Sequence, residues 1–166
     1  QPEVIIEQEI FDFGGVSFNE QSTRLLTFNN KSRLPANVIV NLKSDSRYKD
    51  FKLIFLEKDK ERGITIKPLE KEKNEQSFEE EEESSEESKN EEDENDKAND
   101  KEEDLRHFMI TIPKEEKANF NFIFCPNSFE TDDFDFQTNF ELVGASEEYK
   151  GLKRRIIAKK IDSIVT

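Results

Sequence analysis

The sequence is poor in the residues on which chemistry most often depends. Its 166 residues include one cysteine, one histidine, one methionine and no tryptophan. A single Cys125 excludes an internal disulfide framework, a usage that suits a reducing compartment. A single His107 excludes a histidine pair and most histidine-rich metal sites. No third group can be nominated to orient Cys125 and His107 as nucleophile and base. Cys125 closes an apolar run, where a cysteine ordinarily packs as a small hydrophobe. No apolar run approaches the roughly 18 residues of a membrane span, and no charged-then-apolar leader is present, so the chain reads as soluble. It opens on Gln1 rather than on a methionine, as a fragment of a longer protein would.

Charge is present in quantity but is unevenly spread. The formal net charge is −14. Residues 70–104 hold 19 acidic and 5 basic residues, which accounts for all of it; the other 131 residues hold 20 of each. The body is neutral, so the overall acidity says nothing about what the body binds. The acidic stretch contains one aromatic, Phe78, and almost no aliphatic residue. It cannot bury enough apolar surface to offset the entropy of ordering, and is expected to be a long disordered loop inside a domain. A fold tolerates such an insertion because closure entropy grows only logarithmically with length. Ser77, Ser84 and Ser88 each have a glutamate three residues on, a pattern that acid-directed kinases accept and that any acidic run generates.

Outside that stretch lie 14 of the 15 phenylalanines, and they alternate. In FDFQTNFEL, Phe134, Phe136, Thr138, Phe140 and Leu142 share one side, while Asp135, Gln137, Asn139 and Glu141 share the other. This is the period of a half-buried strand. FNFIF sets Phe120, Phe122 and Phe124 on one face, VIVNL sets Val38, Val40 and Leu42, FKLIF sets Phe51, Leu53 and Phe55, and RLLTFNN offers Leu26 and Phe28. Ile64–Ile66 and Phe108–Ile112 flank the acidic stretch and are placed to pair across it. Turn residues punctuate these runs at Asn29-Asn30, Leu34-Pro35, Asp45-Ser46, Pro113, Pro126-Asn127 and Gly144. Seven or more short strands without a convincing long helix predict an antiparallel sandwich. The last stretch, GLKRRIIAKKIDSIVT, fits either a final edge strand from Leu152 to Ala158 or a helix lined by Ile157, Ile161, Ile164 and Val165; the strand is favoured, running into a linker.

Several patterns suggest chemistry and fail on context. DFGGVSF, Asp12 to Phe18, contains the Asp-Phe-Gly of kinases. Only eleven residues precede it, with no glycine-rich loop, no ATP-contacting lysine and no His-Arg-Asp anywhere. Gly14-Gly15 lacks the GxGxxG or Gly-Lys-Ser/Thr setting of a phosphate loop, and reads instead as a place where a strand bends or crosses between sheets. Asp132 to Glu141 lacks the glycine that a calcium loop needs at its sharp turn. Asn30-Lys31-Ser32 matches a glycosylation acceptor, a pattern common by chance. The cluster Lys153-Arg154-Arg155 with Lys159-Lys160 suits an anionic surface or the acidic stretch. Without interleaved aromatics it reads better as edge-strand charge that discourages aggregation.

The order of the motifs points further. Phe13-Gly14 followed by Val16, then Asn30, Ser32 and Pro35, and much later Phe124-Cys125-Pro126, resembles the immunoglobulin-like domain of the hydin type, related to major sperm protein domains. The resemblance covers most of the chain outside 70–104, while that insertion and the second glycine, Gly15, depart from the pattern. It implies an all-β, immunoglobulin-like antiparallel sandwich of about seven strands, one domain over 1–166. Within it 70–104 is the acidic loop, and 151–166 is the last strand and the start of a linker. It further implies a module that is not an enzyme and needs no cofactor or metal. Phe13, Gly14, Val16, Asn30, Ser32, Pro35, Phe124 and Pro126 would be its structural motif residues. Such domains occur in tandem arrays in large proteins of the ciliary and flagellar central apparatus. Expected partners are neighbouring domains and axonemal or microtubule-associated proteins, not nucleic acid, membrane or a small-molecule substrate. The alternative is an acidic chaperone or binding module for basic proteins such as histones, since an immunoglobulin-like body with an acidic tract suits that task.

Overall fold

Phenylalanine at every second position dictates what forms here: strands with one greasy face, which must find one another. The computed structural model describes residues 2–69, 105–127 and 132–161. Its strands are β1 (Val4–Ile6), β2 (Ile10–Ser17), β3 (Ser22–Asn30), β4 (Ala36–Asn41), β5 (Phe51–Phe55), β6 (Thr65–Pro68), β7 (His107–Ile112), β8 (Lys117–Phe124), β9 (Asp132–Gln137), β10 (Phe140–Leu142), β11 (Gly151–Leu152) and β12 (Arg155–Ile161). Two short 3-10 turns, Ser46–Asp50 and Glu57–Arg62, flank β5. The expected disorder of 70–104 falls outside the described residues.

One sheet has the order β1-β3-β8-β5. Facing it are two ladders, β11-β10-β4-β7-β6 and β2-β12-β9. The facing is visible in the rings. Phe11 of β2 meets Phe122 of β8 edge-on at 5.2 Å, and Phe13 meets Phe51 of β5 at 5.5 Å. Phe140 of β10 meets Phe28 of β3 at 5.8 Å, and Phe108 of β7 meets Phe120 of β8 at 5.7 Å. Aromatic pairs at these separations add to the burial that drives the two layers together. The protein is an immunoglobulin-like β-sandwich, and every alternating set named from the sequence has its apolar side in this core.

The run from Phe134 to Leu142 forms two strands, not one. It breaks at Thr138-Asn139, opposite the break between β11 and β12 at Lys153-Arg154. The buried Thr138 hydroxyl bridges the gap, donating to the Leu152 carbonyl at 2.9 Å and accepting from the Arg154 amide at 2.8 Å. The hairpin therefore feeds both ladders, its β9/β12 half beside β2 and its β10/β11 half beside β4. β6 and β7 pair across the acidic stretch, Pro68 opposite Phe108. The described residues form twelve strands where about seven were expected.

Three expectations need correction. The sandwich is not wholly antiparallel, because β2 and β12 run in the same direction and pair in parallel. The C-terminal run is a strand but not an edge, since β12 lies between β2 and β9. Gly14-Gly15 is not where the chain crosses between sheets. That happens at Glu7–Glu9, between β1 on one sheet and β2 on the other. The glycines serve the other expected role, a bend, at a bulge: Asp12 to Gly15 spans one residue more than the facing Ile157 to Lys159. Gly14 takes φ +72°, and its amide donates to the Asp12 carboxylate at 3.1 Å. The strand β1 was not foreseen at all, being three consecutive apolar residues with no alternation to mark it.

Candidate functional site

Register divides the molecule into two poles. Val4 lies opposite Asn30, whereas Ile161 lies opposite Ser17. The Asn30 pole collects the start of β1, the β3–β4 loop, the β7–β8 turn and the segment after β10. The Ser17 pole collects the β2–β3 turn, the end of β12 and the ends of β6 and β7 that lead into 70–104.

The sequence motif residues separate between these poles. Asn30 is fully buried and organises its pole. Its side-chain amide donates to the carbonyls of Leu34, Ile112 and Pro113 at 2.9 to 3.1 Å. Its Oδ1 accepts from the backbone amide and the hydroxyl of Ser32. An amide engaged in this way cannot be a glycosylation acceptor in the folded protein. Pro35 is exposed beside this network. Towards the Ser17 pole, Phe13, Val16, Phe124 and Pro126 are buried, and Phe124 stacks on Phe51 at 4.8 Å. Cys125 is half-buried and its amide donates to the Asp50 carbonyl. Among the described residues no group of three or more His, Cys, Asp or Glu side chains is placed to hold a metal ion.

The basic cluster is dismantled by its own neighbours. Arg154 turns inward and donates to the carbonyls of Ile6 at 2.7 Å and Gln8 at 2.8 Å. Arg155 is bidentate on Asp135, and this guanidinium contact lowers the Asp135 carboxyl below its ordinary range. Lys160 is buried, with its Nζ 3.2 Å from the buried Asp50 carboxylate. Lys153 and Lys159 stay exposed, as does Arg155 in its surface pair with Asp135. The cluster is thus mostly internal fastening rather than a docking face. Two residues before Asp50, Tyr48 is buried against Phe136, and burial raises its phenol to about 12.

Among the described residues, one open feature is a cleft at the Asn30 pole, where β1 faces β11. Pro2, Glu3, Val4, Ile5, Leu142 and Tyr149 enclose about 440 Å³. A smaller hollow of about 180 Å³ continues it between Val4–Ile6 and Gly151–Arg154. Tyr149 and Ile5 are exposed apolar side chains on its rim. Its walls also carry backbone polarity. The Glu7 amide donates to Thr27, and the Lys31 amide to Glu3, so the odd positions of β1 face β3. The backbone groups of Val4 and Ile6 therefore point into the cleft, where Arg154 takes the Ile6 carbonyl. Across the gap, the Lys150 carbonyl and Leu152 serve β10, which turns the backbone of Gly151 outward. Two sheet edges with an apolar floor between them form a slot that an extended segment can enter by strand addition. Sequence reasoning missed the slot because β1 and residues 143–150 carry no periodic signal; exposed Tyr149 in a polar stretch was the one available hint.

No protein-family model matches the chain, and no curated protein matches it. Distant likenesses exist among solved structures. The ASH/PapD-like domain 7 of human CEP192 is 9% identical with a TM-score of 0.45, over 98% of this chain and 87% of that one. The CupB6 tip adhesin of Pseudomonas aeruginosa is 9% identical with a TM-score of 0.44, over 99% of this chain and 44% of that one. A family 123 glycoside hydrolase of Clostridium perfringens is 11% identical with a TM-score of 0.44, over 99% of this chain and 28% of that one. Likenesses this distant carry no functional reading.

Proposed function

We propose that this chain is a non-catalytic protein-interaction module of the hydin type, one domain of a large scaffold protein of the ciliary axoneme. The observation that carries the reading is the slot between β1 and β11, with backbone groups turned away from their own sheets on both walls and an apolar floor. A neighbour contributing an extended apolar segment gains ladder hydrogen bonds and buries Ile5 and Tyr149. The placement of β1 and β12 at opposite poles supports the same reading, because modules joined in series then extend rather than fold back. The motif order from Phe13 to Pro126 supplies the hydin-type and axonemal part of the proposal. Fluorescent tagging of the full-length protein tests it. Signal along the axoneme is expected, and its loss in the double variant Ile5→Lys, Tyr149→Lys. A diffuse cytosolic signal with none in cilia sinks the reading.

A second reading rests on a separate observation, the confinement of the entire −14 charge to 70–104 beside a neutral body. It makes the chain a binder of basic proteins such as histones. Affinity then falls steeply with salt and vanishes when 70–104 is deleted. No binding to histones at low salt eliminates it.

A further inference from the structure

A polypeptide under tension carries load along its backbone, and what yields depends on how force meets the hydrogen bonds. β1 starts at the Asn30 pole and leads inward to β2, while β12 runs outward to the Ser17 pole. Tension between the poles therefore draws β2 one way and β12 the other. These two strands are directly paired, in parallel, from Ile10 opposite Arg155 to Ser17 opposite Ile161. The force runs along this ladder, so its hydrogen bonds must slip together. A pair of strands opened from one end surrenders its bonds singly.

Two further contacts lie on the same load path. Arg154, immediately before β12, grips the carbonyls of Ile6, at the end of β1, and Gln8, within the β1–β2 crossover. Polar tension pulls that guanidinium straight off both acceptors. Lys160, near the end of β12, is anchored to buried Asp50 just before β5. Strand β1 adds its own short pairing with β3, loaded along its axis as well. We propose that the β2–β12 ladder, with Arg154 as its rivet, is a mechanical clamp, and that this domain bears tension between its poles. This function stands on the topology alone and does not depend on what enters the slot.

Single-molecule force spectroscopy on the whole chain tests it by changing only the direction of pull. In a Cys125→Ala background, handles at the two chain ends load the ladder along its length. Handles at the C-terminus and at the thiol of Glu20→Cys, in the β2–β3 turn, peel β12 from β2 at the Ser17 pole. The end-to-end unfolding force is expected to be several-fold higher than the peeling force in the same protein. Equal forces in the two geometries overturn the clamp. Arg154→Ala should lower the end-to-end force and leave the peeling force unchanged, whereas an equal fall in both reduces Arg154 to a general stabiliser and overturns its part. Failure of the axonemal reading would appear as diffuse localisation and leave this force ratio untouched.

Discussion

The fully buried Asn30 side chain shares its two N–H protons among three carbonyls and accepts twice from Ser32. Asn30→Ala would leave three carbonyls and Ser32 without these partners, and is expected to cost about 2–3 kcal/mol, read from urea melts. Tyr48 offers a test of sign. Its phenol is held neutral by burial up to about 12, against 10.0 in the unfolded chain. Its contribution is full below pH 10 and lost as pH rises through 12, because only the folded state then keeps the proton. Tyr48→Phe should flatten the fall in stability over that window and change little at neutral pH. A variant that still loses stability as steeply as the parent between pH 10 and 12 would refute this. Residues of this kind were only partly legible in the sequence. Asn30, Ser32 and Pro35 stood out as a pattern, but the pattern did not say that Asn30 faces inward. Arg154 and Lys160 looked like surface charge because a cationic side chain carries no local mark of the partner that buries it.

Among the elements, the strands whose facing is legible are those whose alternation is local: β4, β5, β8, and β9 with β10, which the alternation presents as one strand. Their facing was given by phenylalanine and leucine at every second position, which needs no knowledge of the partner. The pairing of β6 with β7 followed from their position on either side of a polar tract. The parallel union of β2 with β12 did not follow from anything local, since partner choice over such separation is decided by packing. The candidate slot was invisible for the same reason: two short edges define it and neither has a period. Asp50 and Lys160 join the turn before β5 to β12, and a double-mutant cycle should expose that tie. Lys160→Met alone strands a buried carboxylate at a cost of about 3–5 kcal/mol. Asp50→Leu with Lys160→Met should cost much less than the sum of the single changes. Additive costs would show that the two groups do not act as a pair.

For the molecule as a whole, the acidic tract and the sandwich are expected to be thermodynamically separable. Pro68 and Phe108 already stand opposite each other in the β6–β7 ladder. Replacing 70–104 by a short turn therefore keeps that ladder and lowers the closure entropy, with each halving of loop length worth about 0.6 kcal/mol. The shortened protein should unfold cooperatively with a Tm equal to or above that of the parent in calorimetry; a broad or lowered transition would mean that the tract supports the fold.

The parallel union of β2 with β12 also sets a timetable. β2 leaves the ribosome well before the strand that completes it, since Arg155 follows its partner Ile10 by about 145 residues. At ribosomal speeds that is a delay on the order of ten seconds, during which β2 has an open edge. The domain cannot finish folding until its final strand has left the ribosome, and a nascent chain stalled before Arg155 should be a substrate for chaperones rather than a finished sandwich.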